Sequence, residues 1–215
     1  MYQPPHFRED DLAVQHALIR AHPLGLLVTF GSAGIEANPI PFVLDASASA
    51  LGTLKAHLSR ANAQWRNVDS EQEALVVFQG PETYITPSWY AAKREHGKVV
   101  PTWNYAIVQA HGLLKVKDDP DWLRQQITAM TDLQEAPRAE PWAVGDAPAS
   151  FVAAQLKGIV GVEIEITRIE GKWKVSQNRP ESDRLGVSAG LRLSQDDSSH
   201  RMAELVDARG TVPRE

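Results

Sequence analysis

Within eight residues, Lys55-Ala56-His57-Leu58-Ser59-Arg60-Ala61-Asn62 gathers two arginine- or lysine-type cations, an imidazole, a hydroxyl and a carboxamide. Arg60 can grip a phosphate through two parallel hydrogen bonds. Ser59 suits a helix N-cap, and the unpaired N–H groups of a helix start attract anions. Lys55 and His57 share one strand parity, so both can face one ligand. The same residues describe equally well a capped helix with two solvated cations.

A second constellation is Tyr84-Ile85-Thr86-Pro87-Ser88-Trp89-Tyr90, then Lys93, then Val100-Pro101-Thr102-Trp103-Asn104-Tyr105. Aromatics offer rigid contact area while Thr86, Ser88, Thr102 and Asn104 offer oriented polar groups, a mixture suited to a flat heteroaromatic ligand. An aromatic core corner between strands is the competing reading. A third, Lys174-Val175-Ser176-Gln177-Asn178-Arg179-Pro180, places two carboxamides at a strand end. Gln177 and Asn178 can pair with a ligand's carbonyl and imide edge, or simply form a turn.

The elements that must position these groups are mostly short strands. Asp10 to Ala21 reads as a helix with Leu12, Leu18 and Ile19 inward, closed by Pro23. Leu24 to Phe30 and Ile35 to Leu44 flank Gly31-Ser32-Ala33-Gly34 as a hairpin, and Pro39 and Pro41 place its second strand at an edge or bulge. Leu51 to Leu58 is extended and leads into a helix capped by Ser59. Hairpins are expected about Gly80-Pro81 and about Gly112. Asp119-Pro120-Asp121-Trp122 opens a clear helix with Leu123, Ile127 and Met130 on one face. Residues 135–148 read as a connection. Val160, Val162, Ile164 and Ile166 alternate with polar or small residues as a strand, turned back at Glu170-Gly171 into Lys172 to Ser176. Residues 192–215 form a tail with a short helix over 200–208.

These segments predict a mainly β protein with peripheral helices, an antiparallel barrel filling residues 1–191 as a single domain. There is no βαβ alternation and no glycine-rich phosphate fingerprint, which disfavours a Rossmann-type site.

Composition narrows the chemistry. The chain has 215 residues, 43% of them hydrophobic and 23% charged, enough for a substantial core. A formal charge of −5 opposes a general nucleic-acid surface. There is no cysteine, which removes disulfides, thiolate metal sites and thiol nucleophiles. The histidines show no metal-ligand spacing. The polar N-terminus has no secretory pattern and no apolar run approaches a membrane span, so a cytoplasmic location is expected.

Lys55 to Trp65, Tyr84 to Tyr105, Ile159 to Ile164 and Gly171 to Arg179 together resemble the PaiB family of the FMN-binding split-barrel superfamily, alongside the pyridoxamine phosphate oxidases. The resemblance runs from about Tyr2 to Leu191. It implies a six-stranded antiparallel split barrel, a homodimer, and FMN as cofactor. Ser59 and Arg60 would hold the FMN phosphate, with Lys55, His57 and Asn62 beside it. Trp103 and Asn104 would lie near the flavin, with Gln177 and Asn178 contributing from the partner chain. Ala63 stands where relatives commonly have proline. The family association implies a negative transcriptional regulator, with DNA as a partner on that ground alone. The superfamily implies an alternative, an FMN-dependent oxidoreductase acting on a small molecule, which needs no dedicated catalytic residue because the cofactor carries the redox chemistry.

Overall fold

The computed structural model describes residues 1–209. They divide into two compact units, the first made of Met1–Asp11, Gln79–Val108 and the chain from Glu170 onward, the second of Leu12–Phe78 and Gln109–Ile169. Residues 1–191 contribute to both units. The end of the expected tail, 210–215, lies outside the described residues.

The second unit starts with α1 (Leu12–Ala21), which buries Leu18 and Ile19 as its spacing predicts, together with Gln15 and His16. Strands β2 (Leu24–Gly31) and β3 (Gly34–Pro41) form the expected hairpin, paired from Leu24↔Pro41 to Gly31↔Gly34. β4 (Val43–Asp45), β5 (Thr53–Ser59) and β8 (Ile159–Glu165) also belong to this unit, while β6 (Glu73–Ile85) belongs to it only through Phe78 and β7 (Thr102–Lys117) only from Gln109; the hydrogen-bonded strand order is β3-β2-β6-β7-β8-β5-β4. β3 ends that order, so Pro39 and Pro41, which have no N–H to donate, sit on the strand where the ladder can spare them.

β5 pairs with β8 along its whole length, Thr53↔Glu165 to Ser59↔Ile159. Leu54, Ala56, Leu58, Val160, Val162 and Ile164 point inward and are buried. This is the alternation read in the sequence. Helix α4 (Pro120–Glu135) is capped by Asp119, whose carboxylate accepts from the Trp122 N–H at 2.8 Å. Its Leu123 joins Val144, Val152 and Leu156 in a smaller apolar cluster. Val152 and Leu156 belong to α5 (Ala149–Leu156), a helix directly after the connection at 135–148 that the sequence pattern does not predict.

Two expected hairpins are single long strands. β6 runs through Gly80-Pro81 and β7 runs through Gly112. Gly112 is a close-approach glycine, because a Cβ there would stand 2.1 Å from the Glu165 carbonyl oxygen.

In the first unit β1 (Arg8–Glu9) pairs with β9 (Arg168–Lys174), which also pairs with β7. The turn into β9 falls before Arg168, so Glu170-Gly171 lies inside the strand rather than at the expected turn. Helices α3 (Ala91–Glu95), α6 (Glu181–Arg192) and α7 (Asp197–Ala208) follow, and Tyr90, Ile85, Trp173, Val187, Leu191 and Met202 are buried among their unit's core residues. α7 begins at Asp197, earlier than predicted, because Asp196 caps it through the Ser199 N–H at 2.8 Å. Nine strands are described, against six expected, and β1 and β4 are only two and three residues long. No helix among the described residues is long and apolar enough to cross a membrane.

Candidate functional site

The second unit holds five of the residues singled out above. Lys55 and His57 do share a face of β5, and α4 covers it. The Lys55 ammonium meets Asp45 at 2.8 Å. The Asp45 carboxyl is accordingly held down at about 2, first by the hydrogen bond from Lys55 and then by Ser47. His57 Nδ1 lies 2.7 Å from Gln126 Oε1. Gln126 is 4% exposed, and its Nε2 is buried without an acceptor. Lys55, Trp122 and Gln126 line a cavity of about 190 Å³.

At the end of β5 the chain behaves differently from expectation. Ser59 closes the strand and caps no helix, since α2 (Gln64–Asn67) is four residues long and starts after Ala63, whose side chain can accept no hydrogen bond. The Ser59 hydroxyl instead receives the Ala61 N–H at 3.3 Å, and Asn62 Oδ1 receives the Gln64 N–H at 2.9 Å. The helix-start contribution to an anion site is therefore withdrawn. What remains is Arg60. Its guanidinium holds both carboxylate oxygens of Asp118, one at 3.0 Å, and also donates to the carbonyls of Lys157 at 3.1 Å and Ile159 at 2.8 Å. The pairing lowers the Asp118 carboxyl below its ordinary value and raises the Arg60 guanidinium above its own, in each case mainly through that hydrogen bond. A neighbouring cavity of about 310 Å³ is lined by Arg60, Arg124, Lys157, Asp118 and Asp121 on its polar side and by Leu123 and Leu156 on its apolar side.

The first unit holds the other four. Trp103 is about half exposed and meets Tyr84 edge-on, ring centres 6.2 Å apart. Asn104 is buried and donates to the Ser176 hydroxyl at 2.9 Å, and Ser176 sits at a left-handed φ of 65°. Gln177 folds back on its own strand end, accepting from the Val175 N–H at 2.7 Å and donating to the Trp173 carbonyl. Asn178 faces a cavity of about 610 Å³. Lys174 donates to Thr102 and to the Trp103 carbonyl. Burial lowers its pKa, and repulsion from Lys172 and Arg179 lowers it further.

The sequence reading missed the partners: Asp45 for Lys55, Gln126 for His57 and Asp118 for Arg60. Asp118 stands directly before Asp119, the cap of the predicted helix, and no local spacing links it to Arg60.

A family model described as "Putative FMN-binding domain" matches residues 1–168. The chain belongs to that family. Members of this FMN-binding family include relatives over nearly the full length. An uncharacterized protein of Emericella nidulans is 34% identical, over 99% of this chain and 98% of its own. The Bacillus subtilis protein named protease synthase and sporulation protein PAI 2 is 30% identical, over 96% of this chain and 97% of its own. Among solved structures, a conserved hypothetical protein of Mycobacterium tuberculosis superposes with a TM-score of 0.58 at 12% identity, covering 84% of this chain and 95% of that one. The flavocytochrome Anf3 of Azotobacter vinelandii gives 0.56 at 12% identity, covering 78% and 69%. These likenesses establish the fold, a mainly antiparallel split barrel with helical additions, as expected.

The cofactor is FMN. The end of β5 presents a donor set of the kind that takes an oxyanion such as a phosphate: a guanidinium that already holds a carboxylate through two nitrogens, beside an exposed hydroxyl on Ser59. Arg60 and Asp118 are partly solvent-exposed, at 32% and 58% of their side-chain surface, so the carboxylate can be exchanged for another oxyanion. Lys55 fits less well, being committed to Asp45 beneath α4.

Proposed function

We propose that this chain is an FMN-binding negative transcriptional regulator that works as a cytoplasmic homodimer, with the flavin phosphate taken by Arg60 and Ser59. The observation that carries the cofactor half is the Arg60 guanidinium fork, which accepts an oxyanion at an exposed strand end. The regulatory half rests on the kinship with PAI 2, whose name places that protein in protease synthesis and sporulation. Asn62 supports the turn after Ser59 through Gln64. Lys55 and His57, on the same strand and engaged by Asp45 and Gln126, stand beside the site rather than at the phosphate. Of the first unit's four residues, Trp103 offers an exposed aromatic face and Asn178 a carboxamide, while Asn104 and Gln177 hold the backbone that carries them.

The second reading is an FMN-dependent oxidoreductase acting on a small molecule. It is favoured by the charge of α7, the second helix of the α6–α7 pair. That helix carries Asp197, Glu204 and Asp207 against Arg201, the reverse of a groove-reading helix. FMN, when bound, supplies electron transfer to either role.

Visible absorption of the purified protein after FMN addition and desalting tests the cofactor assignment. Flavin retained by the natural sequence and lost from Arg60→Ala supports it, and equal retention overturns it. A gel-shift comparison of the protein's own upstream region with random DNA, FMN-loaded and FMN-free, separates the two roles. Equal binding of both DNAs removes direct repression, and NADH or NADPH oxidation above the free-flavin background would then establish the second reading.

A further inference from the structure

A cavity of about 610 Å³ in the first unit is a cationic one. Its wall includes Arg8, Arg179, Arg184 and Arg209, the carboxamides of Gln177 and Asn178, and a single carboxylate, Glu181. The volume lies within the range of small-molecule sites, about 300–1,000 Å³. A chain with five more acidic than basic residues has concentrated four guanidinium groups around one space.

Arg8 pairs with Asp10 at 2.7 Å, Arg209 pairs with Glu9, and Arg184 donates to the Arg179 carbonyl at 3.5 Å. Arg179 is held otherwise. It lies over the ring of buried Tyr90, 4.7 Å from the ring centre, a support that leaves its positive charge uncancelled. The same charge reaches Lys174, whose ammonium is disfavoured by burial and then by Lys172 and Arg179. Helix α6, twelve residues long, opens at this cavity. Its first residues, Pro180 as cap and Glu181, line the wall, and Pro180 supplies no side-chain cap.

The remaining wall excludes some ligands. Its non-polar surface comes from Pro5, Pro180, the His6 imidazole and the arginine stems, with no Phe, Tyr, Trp or branched aliphatic side chain in the wall. One carboxylate presents two oxygens, fewer than several guanidinium forks can satisfy, whereas a diphosphate presents more oxygens on one compact, highly charged group.

We propose that this arginine-lined cavity is a second ligand site, binding a small polar molecule that bears a diphosphate or an equivalent cluster of phosphate charge, independently of FMN. Arg179 and Arg184 would clasp the phosphates from the α6 end. The site lies among residues of the first unit and does not depend on Arg60.

The test is calorimetric titration of inorganic pyrophosphate into the full-length, FMN-loaded protein at low ionic strength, with Arg184→Met, Arg179→Met and Arg60→Ala beside it. Methionine keeps an apolar stem in place of the arginine's. Binding by the natural sequence, weakened about tenfold or more in Arg184→Met, is expected. Arg60→Ala should bind pyrophosphate unchanged, even where it has lost FMN. Because Arg179 also packs on Tyr90, Arg179→Met is read together with its circular dichroism, and Arg184→Met stands alone if Arg179→Met fails to fold. No heat from the natural sequence, unchanged affinity in Arg184→Met, or stoichiometric release of FMN by pyrophosphate would each overturn the proposal. The last result would make the cavity the FMN phosphate's own site.

Discussion

Arg60 holds both carboxylate oxygens of Asp118 in its guanidinium fork, across 58 residues of sequence. The arginine chosen by sequence as an anion receptor thus carries a protein anion in the geometry a phosphate would take. Any ligand phosphate has to displace that carboxylate, so Asp118 sets the affinity from the other side.

Asp118→Asn should therefore tighten FMN binding by about threefold or more, since a neutral amide competes less well for the fork. Quenching of flavin fluorescence during titration measures it. Weaker binding in Asp118→Asn would mean that Asp118 orients Arg60 rather than competing for it.

Acid should weaken the chain through Asp45. Its folded pKa, about 2, lies below the ordinary 3.8, so the stability it contributes is complete above the ordinary value and is lost as pH falls towards 2. Asp45→Asn should show less loss over that window when unfolding is followed by circular dichroism at successive pH values. Parallel curves for the two proteins would contradict the Lys55–Asp45 coupling.

Gln64 is fully buried beneath the β2–β3 hairpin. Its Nε2 donates to the Leu27 carbonyl and the Thr29 hydroxyl, each at 3.1 Å, while its Oε1 receives Asn38 at 3.0 Å. Gln64→Leu keeps much of the volume and strands those partners, at a cost of about 1–3 kcal/mol. Urea denaturation midpoints would report it, and an unchanged midpoint would show that the partners re-pair or meet water.

Gly112→Ala should cost about 3 kcal/mol, because its Cβ would press on the Glu165 backbone and no flexible side chain is there to yield. Gly145→Ala is the control. Nothing stands within 4 Å of its Cβ position, and the change should stay within about 0.5 kcal/mol. Thermal melts of the two variants, side by side, distinguish close approach from a general dislike of alanine.

Local chemistry was legible wherever it acts over a few residues. The Asp119 cap with Pro120 marks the start of α4, and the alternation of β8 marks a strand buried on one face, because capping and pleat are read from neighbouring residues. Long-range relations were not. Gln126 is 69 residues from His57, and no periodicity links them. Helix α6 escaped notice because Gly186 and Gly190 lower helix propensity. Their reason lies elsewhere in the chain: a Cβ on Gly190 would stand 2.3 Å from the Trp89 indole, and one on Gly186 would stand 2.0 Å from the Trp89 carbonyl oxygen. The misread turn at Gly112 shares that origin, since glycine placed for a neighbour looks the same as glycine placed for a bend.

Pro39 and Pro41 also matter before the protein is finished. During synthesis the β2–β3 hairpin leaves the ribosome ahead of β6, the strand that pairs with β2 at Leu26↔Val77. In that interval both rims of the hairpin are open to other nascent chains, and unpaired rims are where aggregation begins. The two prolines blunt the rim that never gains a partner in the strand order. The hairpin is left with one adhesive side, which the chain itself later covers.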